Sequence, residues 1–450
     1  MKTMKKMMTW LAVAGFVLAL APAAQAADRV WSGGAGNAWD TTSSFWDAGV
    51  NTFTDDDTAI FDGVVSGTVN LTADRTPEAV ADGVTVTNDV GNDYVFTGSG
   101  IIGGTGLTKS GTGTLTLSNT GNAYTGGTEI YTTEAGGNIV ATTSGCLGTG
   151  EVLLDDDTNA AGLILSLSND TGTTWANHFK MLDGRNFSIN VGGGGAAGTT
   201  HTFGNVYTTS GERMGVTFTG SDGYNLIVGA ISGNHQLDIN SSMDGELTIA
   251  SVTSPGASRS LNFYGSSAAG SAEIMTVTGD VNLTALQVYS YVVTRIGEAS
   301  SDRIIDLTVD GIYQVGNSVL SGSTFTSSGS GTMLFNIVSN GTPVTSAEII
   351  GTAGGTETLN LLGKFDFDLT VADETESNTW QVVDMTDIEN VTYDAAFTVV
   401  GATSVGDPNS RVWTFDGVTE GVFFAFDEAT GVLEAGVPPP PPAGAVLIVK

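Results

Sequence analysis

The alternation of apolar and polar positions is clearest between Gly104 and Gly127. Leu107, Leu115 and Leu117 alternate there with threonines, whereas glycines and asparagines gather between and after these runs. Alternation with a period of two predicts strands, and Gly/Asn clusters predict sharp corners. Two short strands with one apolar face cannot bury that face alone, so we expect this unit to stack on similar units as a solenoid.

Similar short runs recur along most of the chain. They lie at 84–87, 94–97, 163–167, 187–191, 216–219, 226–231, 247–252, 261–264, 274–278 and 304–309. Glycine, asparagine or aspartate separates them, and their close spacing leaves no room for helices of ordinary length. A weaker copy of the opening unit lies at 229–250, and residues 175–184 are expected to be an insertion outside the coils. The pattern predicts one β-rich body.

Tryptophans are concentrated near the two ends of the chain: Trp31, Trp39, Trp46, Trp380 and Trp413. The terminal coils of a solenoid expose apolar core and unpaired strand edges, and bulky aromatic side chains can cover both. We therefore predict aromatic-rich end caps. The competing interpretation is an aromatic platform on which sugars stack.

The N-terminus has the three parts of a secretory signal peptide. Lysines precede an apolar stretch at 10–20, and Ala24-Gln25-Ala26 is a small-residue cleavage site, so the mature chain is expected to begin at Ala27. This predicts a protein that is secreted or held at the cell surface. The apolar tail after Pro438 to Pro442 is too short to cross a bilayer, so no transmembrane segment is expected in the mature chain.

Five parts are predicted from these patterns. They are a signal peptide at 1–26, an N-terminal cap with the first coils at 27–83, a β-helix body at 84–364, a C-terminal β-rich cap or small β-domain at 365–437, and a proline spacer with a short apolar tail at 438–450.

The run from Gly106 to Thr128 resembles the autotransporter-associated β-strand repeat of bacterial passenger proteins. Residues 147–152, Leu-Gly-Thr-Gly-Glu-Val, fit the way that repeat usually continues. The resemblance implies an all-β fold, a right-handed parallel β-helix (β-solenoid), exported to the cell surface. It supplies no catalytic residues, because the repeat describes an architecture.

The net charge of the chain and its cysteine and histidine residues limit the kinds of partner and site that are expected. The chain carries 48 acidic and 15 basic residues, for a net charge of −33, which argues against nucleic acid and anionic membranes as partners. Cys146 is the sole cysteine, so no intrachain disulfide can form, and we expect a buried core residue. His178, His201 and His235 lack the spacing of metal ligands and are expected at corners or on the surface.

Two runs of three aspartates are the only candidate metal ligands, Asp55, Asp56 and Asp57 and then Asp155, Asp156 and Asp157. Adjacent carboxylates repel one another unless water or a cation such as Ca²⁺ bridges them. Neither run has the glycine-spaced pattern of a known calcium loop. Both readings, a Ca²⁺ site and a solvated turn, stay open.

Three functions are compatible with these features. The first is an exported, non-enzymatic surface or extracellular-matrix structural protein, including an adhesin, that binds extracellular polysaccharide, cell-surface components or itself. The second is a carbohydrate-active β-helix enzyme, either a polysaccharide lyase or a glycoside hydrolase. The third is a module whose rows of threonine, such as Thr114 and Thr116, bind an ordered glycan or ice surface. A cleft with grouped acids beside Lys, Arg or His favours the enzyme, and smooth polar faces favour the rod.

Overall fold

The protein is represented by a computed structural model that describes residues 26–436, except for 78–82, 105, 133–137, 157–162, 183–185, 210, 212, 254–259, 266–272, 279–280, 289–291, 297–302, 310–311, 316, 321–323, 328–330, 339–347, 352–357, 375–377 and 387. The described residues form 41 strands and one short 3-10 helix, Ala35–Asn37. The all-β prediction is therefore confirmed.

The strands up to residue 208 are β1 Asp28–Val30, β2 Ala38–Trp39, β3 Thr58–Phe61, β4 Gly67–Leu71, β5 Val84–Thr87, β6 Tyr94–Gly98, β7 Leu107–Ser110, β8 Thr114–Leu117, β9 Thr128–Thr132, β10 Asn138–Ala141, β11 Val152–Asp156, β12 Leu163–Ser168, β13 Thr174–Trp175, β14 Phe179–Met181, β15 Asn186–Gly192, β16 Thr200–Phe203 and β17 Val206–Thr208.

The strands from residue 214 onward are β18 Met214–Gly220, β19 Asn225–Ser232, β20 Leu237–Met243, β21 Leu247–Thr253, β22 Ser260–Gly265, β23 Glu273–Val277, β24 Val281–Val288, β25 Val292–Ile296, β26 Arg303–Val309, β27 Ile312–Val315, β28 Asn317–Leu320, β29 Thr324–Ser327, β30 Thr332–Val338, β31 Glu348–Gly351, β32 Thr358–Leu361, β33 Lys364–Val371, β34 Thr379–Gln381, β35 Val383–Asp384, β36 Asn390–Tyr393, β37 Thr398–Val399, β38 Thr403–Val405, β39 Val412–Asp416, β40 Phe423–Asp427 and β41 Val432–Ala435.

Each strand of the body pairs in parallel with a strand of the next coil, which is the arrangement of a β-solenoid. Row 1 begins β1, β3, β5, β7, β9, β11, β14 and β17, and row 2 begins β2, β4, β6, β8, β10, β12, β15, β18 and β20. Row 3 begins only at β13 and continues through β16 and β19. The predicted parallel β-solenoid is confirmed.

The inward positions of row 2 form a continuous apolar column. Tyr94, Leu115, Ile139, Leu165, Ile189 and Phe218 are successive register partners. Leu107, Leu115 and Leu117 are at most 1% exposed, so the face predicted to be buried is the buried one. Because each strand pairs with strands of the neighbouring coils, each coil's core is completed by the next.

Residues 175–182, the described part of the stretch predicted as an insertion at 175–184, lie within the coils, which corrects that prediction. Trp175 lies in β13 and pairs with Phe203, while β14 pairs with β11 and β17. The strands are two and three residues long, too short for a period of two to show in the sequence.

Aromatic clusters lie at both ends of the solenoid. At the start, Trp39, Trp46, Phe53 and Phe61 are fully buried, and the rings of Trp39 and Trp46 lie 5.7 Å apart. A buried indole cannot stack on a sugar, so the alternative of an aromatic platform is wrong for these residues.

The parallel rows continue to β35, β36 and β37. A separate antiparallel sheet follows, with the strand order β34, β41, β40, β39 and β38.

Candidate functional site

The outward positions of row 2 form a straight ladder of small, uncharged side chains. Successive register partners are Thr68, Val95, Thr116, Val140, Ser166, Asn190, Thr219 and Ser242. Parallel strands lie about 4.8 Å apart, so the ladder repeats its groups at that interval. No member is charged, although the chain as a whole carries −33.

Side chains of neighbouring coils hydrogen-bond to one another on this face. The hydroxyl of Thr219 donates to Oδ1 of Asn190 at 3.0 Å, and the hydroxyl of Thr142 donates to Oγ of Ser118 at 3.1 Å. Such contacts hold the side chains in one orientation, which lowers the entropy lost when a partner binds. Row 2 therefore presents a smooth, ordered face that can donate and accept hydrogen bonds.

Charged side chains lie at the edge of this face. Arg213 and Asp238 form an ion pair there, and Asp238 is 2% exposed. Asp238 also accepts hydrogen bonds from Gln236 at 2.9 Å and from Asn262 at 2.6 Å. The carboxylate is fully engaged in structure, so it does not make the face acidic.

The outward ladder of row 1 is different, because it contains charged groups. Thr85, Thr108, Glu129, Leu153, Lys180 and Tyr207 are its register partners. The hydroxyl of Tyr207 donates to Glu151, and burial together with this carboxylate raises the pKa of Tyr207 to about 12. Lys180 lies one strand away from Tyr207. Sequence reasoning missed this grouping because Glu151 and Tyr207 are 56 residues apart.

A polar cavity of about 440 Å³ opens at a corner of the first coils and is lined by Asp62, Gly63, Val64, Thr87, Asn88, Asp89 and Asn92. Its lining includes two carboxylates and no Lys, Arg or His. Asn88 is mainly structural, since its side-chain amide donates to the carbonyls of Asn92 and Thr114. The cavity therefore lacks the basic group that a polysaccharide lyase places beside its acids.

The structure does not gather the first aspartate run into one site. Asp57 is buried and accepts hydrogen bonds from the backbone N–H groups of Ala27 and Thr54 and from Nε of Arg29, each at 3.0 Å. Asp55 instead accepts from Thr76 N–H at 3.1 Å and lies 3.4 Å from Nη1 of Arg75. The two carboxylates are thus paired with cations of the chain itself.

Asp56, between them, is exposed, and its backbone N–H donates to the carbonyl of Thr76 at 2.9 Å. In the second run, Asp155 and Asp156 end β11, whereas Asp157 lies outside the described residues. Among the residues that the structure does describe, no group of three or more His, Cys, Asp or Glu side chains could hold a metal ion. Calcium binding stays a prediction.

Two of the histidines, His201 and His178, contact other residues of the fold. His201 is fully buried, its ring stacks on Tyr224 with centroids 5.3 Å apart, and burial lowers its pKa. His178 is exposed at a corner, where Nδ1 accepts from the N–H of Asn205 at 3.0 Å. His178 fits the prediction of a corner residue. His201 was also predicted at a corner or on the surface, but it is buried, because its ring completes the aromatic stack of row 3.

Cys146 lies in a corner with buried asparagines. Its carbonyl accepts a hydrogen bond from the side-chain amide of Asn122 at 2.7 Å, and burial raises the pKa of its thiol. The expectation of a buried core cysteine is confirmed.

Parallel coils of short strands, with aromatic clusters at the ends, define a passenger-like β-solenoid. The chain resembles autotransporter proteins in sequence as well: it is 34% identical over 172 residues to the adhesin BmaC autotransporter of Brucella suis biovar 1 (strain 1330). The match covers 37% of this chain and 4% of that relative's length. No family model matches the chain, and no solved structure shows significant similarity to it.

Proposed function

We propose that the chain is an exported, non-enzymatic surface rod that acts as an adhesin and binds neutral extracellular polysaccharide through the row 2 face. The signal-peptide pattern supports export, and the similarity to an autotransporter adhesin supports the role of a surface rod. The choice of a neutral polysaccharide as the ligand rests on one observation, which is that the ladder of row 2 is uncharged although the chain is strongly acidic. The ladder carries hydroxyl and amide groups, with Val95 and Val140 between them, and such groups on a repeating lattice suit a polymer whose hydroxyls also repeat regularly. A neutral polymer meets no charge repulsion there.

The test is an array of neutral and charged polysaccharides probed with the chain that begins at Ala27. Thr116→Asp places a charge in the middle of the ladder, and Thr108→Asp places the same charge on the outward ladder of row 1 in the same coil. We expect Thr116→Asp to weaken binding by about tenfold or more, because it introduces a desolvated charge, and Thr108→Asp to bind like the parent chain. Equal losses in the two variants, or self-association without glycan binding, contradict the proposal.

The carbohydrate-active enzyme is the second candidate, and the grouping of Glu151, Lys180 and Tyr207 is the observation that favours it. A tyrosine held protonated beside a lysine could give a proton to a leaving sugar oxygen. The same array is therefore scored for new reducing ends. Cleavage that disappears in Tyr207→Phe would favour the enzyme over the adhesin.

A further inference from the structure

One buried carboxylate holds the beginning of the first coil. Oδ1 of Asp57 accepts the backbone N–H of Ala27 at 3.0 Å, and the carbonyl of Ala27 accepts the N–H of Thr58 at 3.1 Å. Asp57 is only 4% exposed. Ala27 is thus fixed through both of its backbone groups just before β1, at the residue where the signal-peptide pattern places the cleavage site.

Charges around this residue do not balance in the uncleaved chain. Nε of Arg29 contacts Asp57 at 3.0 Å, and its Nη1 contacts Asp47 at 2.9 Å. Within the part of the chain that the structure describes, one guanidinium therefore serves two carboxylates, which leaves one negative charge in this partly buried cluster without a matching cation. Such an imbalance is costly when water is excluded.

We propose that removal of the signal peptide supplies the missing cation: the new α-ammonium group of Ala27 forms an ion pair with Asp57 and locks the first coil. The inference rests on the proposed export of the chain. In the cleavage, water adds its hydroxyl to the carbonyl carbon of Ala26 as the bond to the Ala27 nitrogen breaks. The proton lost by the new carboxyl group balances the one gained by the amine, so the products are a carboxylate and an ammonium.

The geometry needs no rearrangement for this pairing. The nitrogen that already donates at 3.0 Å keeps its position, while its single N–H becomes three donors with a full positive charge. After cleavage, Arg29 and the ammonium face Asp47 and Asp57, so the cluster is neutral. Because every later coil stacks on the one before it, a firmer first coil protects the end of the whole solenoid.

The experiment compares three chains that all end at Lys450 and differ in what the Ala27 nitrogen carries. One begins with a free amine at Ala27, a second is Nα-acetylated at Ala27, and a third keeps the leader residues from Ala24. Hydrogen exchange of the amides in β1 and β3 is measured at neutral pH. We expect the free-amine chain to be protected by about tenfold more than the other two, since only it forms a charge-assisted pair.

Two variants show whether Asp57 is the partner. In Asp57→Asn, the free and acetylated chains should have equal protection. Asp56→Asn removes the same charge from the neighbouring exposed residue, whose φ of 83° asparagine tolerates, and should keep the difference. The ion pair raises the α-amine pKa above its ordinary value of about 8, so the extra protection should be present at neutral pH and lost as the pH rises through the raised value.

Equal protection of the free and acetylated parent chains overturns the proposal, and this comparison requires no substitution that could unfold the cap. Mass spectrometry of the exported protein supplies the second decisive result, because an N-terminus at any residue other than Ala27 also overturns it. Neither readout depends on polysaccharide binding, so a failure of the proposed adhesin function is distinguishable from a failure of this inference.

Discussion

Lys109 is a charged side chain that the strand pattern places inside the solenoid. It follows Leu107 at an inward position of β7, and it is fully buried. Its Nζ donates to the carbonyl groups of Ser110 at 2.6 Å and Gly111 at 2.9 Å, which satisfies two carbonyls of the corner. Burial lowers the pKa of Lys109 to about 8, against the opposing attraction of Asp93 and Asp89.

The lowered pKa predicts how stability depends on pH. Between about 8 and the ordinary value of 10.5, the unfolded chain keeps the Lys109 proton and the folded chain has lost it. The free energy of unfolding should therefore rise with pH across this interval, by about 1 to 3 kcal/mol relative to Lys109→Met. Chemical denaturation at several pH values measures the difference.

Lys180→Met is the control for this prediction, because it removes a lysine from an outward position. The rise between pH 8 and 10.5 should persist in Lys180→Met, since Lys109 is still present. A parent chain and a Lys109→Met variant with parallel pH profiles would show that the buried amine is not the titrating group.

At the scale of the element, the register of β8 decides which substitutions are tolerated. Leu115 points into the core between Tyr94 and Ile139, while Thr116 is outward. Leu115→Asp should cost several kcal/mol, because it leaves an unpaired carboxylate in an apolar column. Limited proteolysis should show faster cleavage near residues 100–130 in Leu115→Asp than in Thr116→Asp. The reverse order would shift the register by one residue.

The C-terminal sheet depends on one buried ion pair. Glu428 accepts hydrogen bonds from Nε of Arg411 and Nε1 of Trp413, each at 2.8 Å, and from the N–H of Asn409 at 2.9 Å. Nη2 of Arg411 donates to the carbonyl of Asp394 at 2.7 Å, beyond the end of β36. The pair therefore joins the antiparallel sheet to the last coils.

We expect Glu428→Gln to destabilise this sheet by about 3 kcal/mol, because it leaves the buried guanidinium of Arg411 without a counter-charge. Fluorescence of the tryptophans, Trp413 among them, can follow denaturant unfolding, with the exposed Asp416→Asn as the control. The double variant Arg411→Met with Glu428→Gln should be less destabilised than the sum of the single changes. Strict additivity would mean that the two side chains act independently.

At the scale of the whole molecule, the net charge of −33 opposes a compact fold. The structure meets part of this cost with local ion pairs, as Asp57 with Arg29 and Asp55 with Arg75 show. No helix in the described part of the chain is long and apolar enough to cross a membrane.

The charge predicts that divalent cations stabilise the fold. The melting temperature should be higher in Ca²⁺ than in EDTA at matched ionic strength, where simple screening is equal. Variants with asparagine at Asp155 and Asp157 should lose this gain if the second run binds the ion. Identical melting temperatures in the two buffers would contradict cation binding by either aspartate run.

The sequence by itself determined where strands and corners lie and which face of a strand points into the core. A period of two is a local property, so Leu107, Leu115 and Leu117 were assigned to the core correctly. The same alternation also places Lys109 inward, so the burial of Lys109 could have been predicted from the sequence. Glycine and asparagine mark corners for a local reason too, as at Gly111, where φ is +78°.

Only the tertiary structure decided which distant residues meet. Row 3 begins at β13, whose two residues are too few to show periodicity. Asp57 reaches Ala27 across 30 positions, and Tyr207 reaches Glu151 across 56, because stacking brings coils together at distances that depend on the length of every corner between them. Alternation fixes which side of a strand faces the core, whereas the corner lengths set the register between coils, and with it the pairs, the smooth row 2 face and the lock on the first residue.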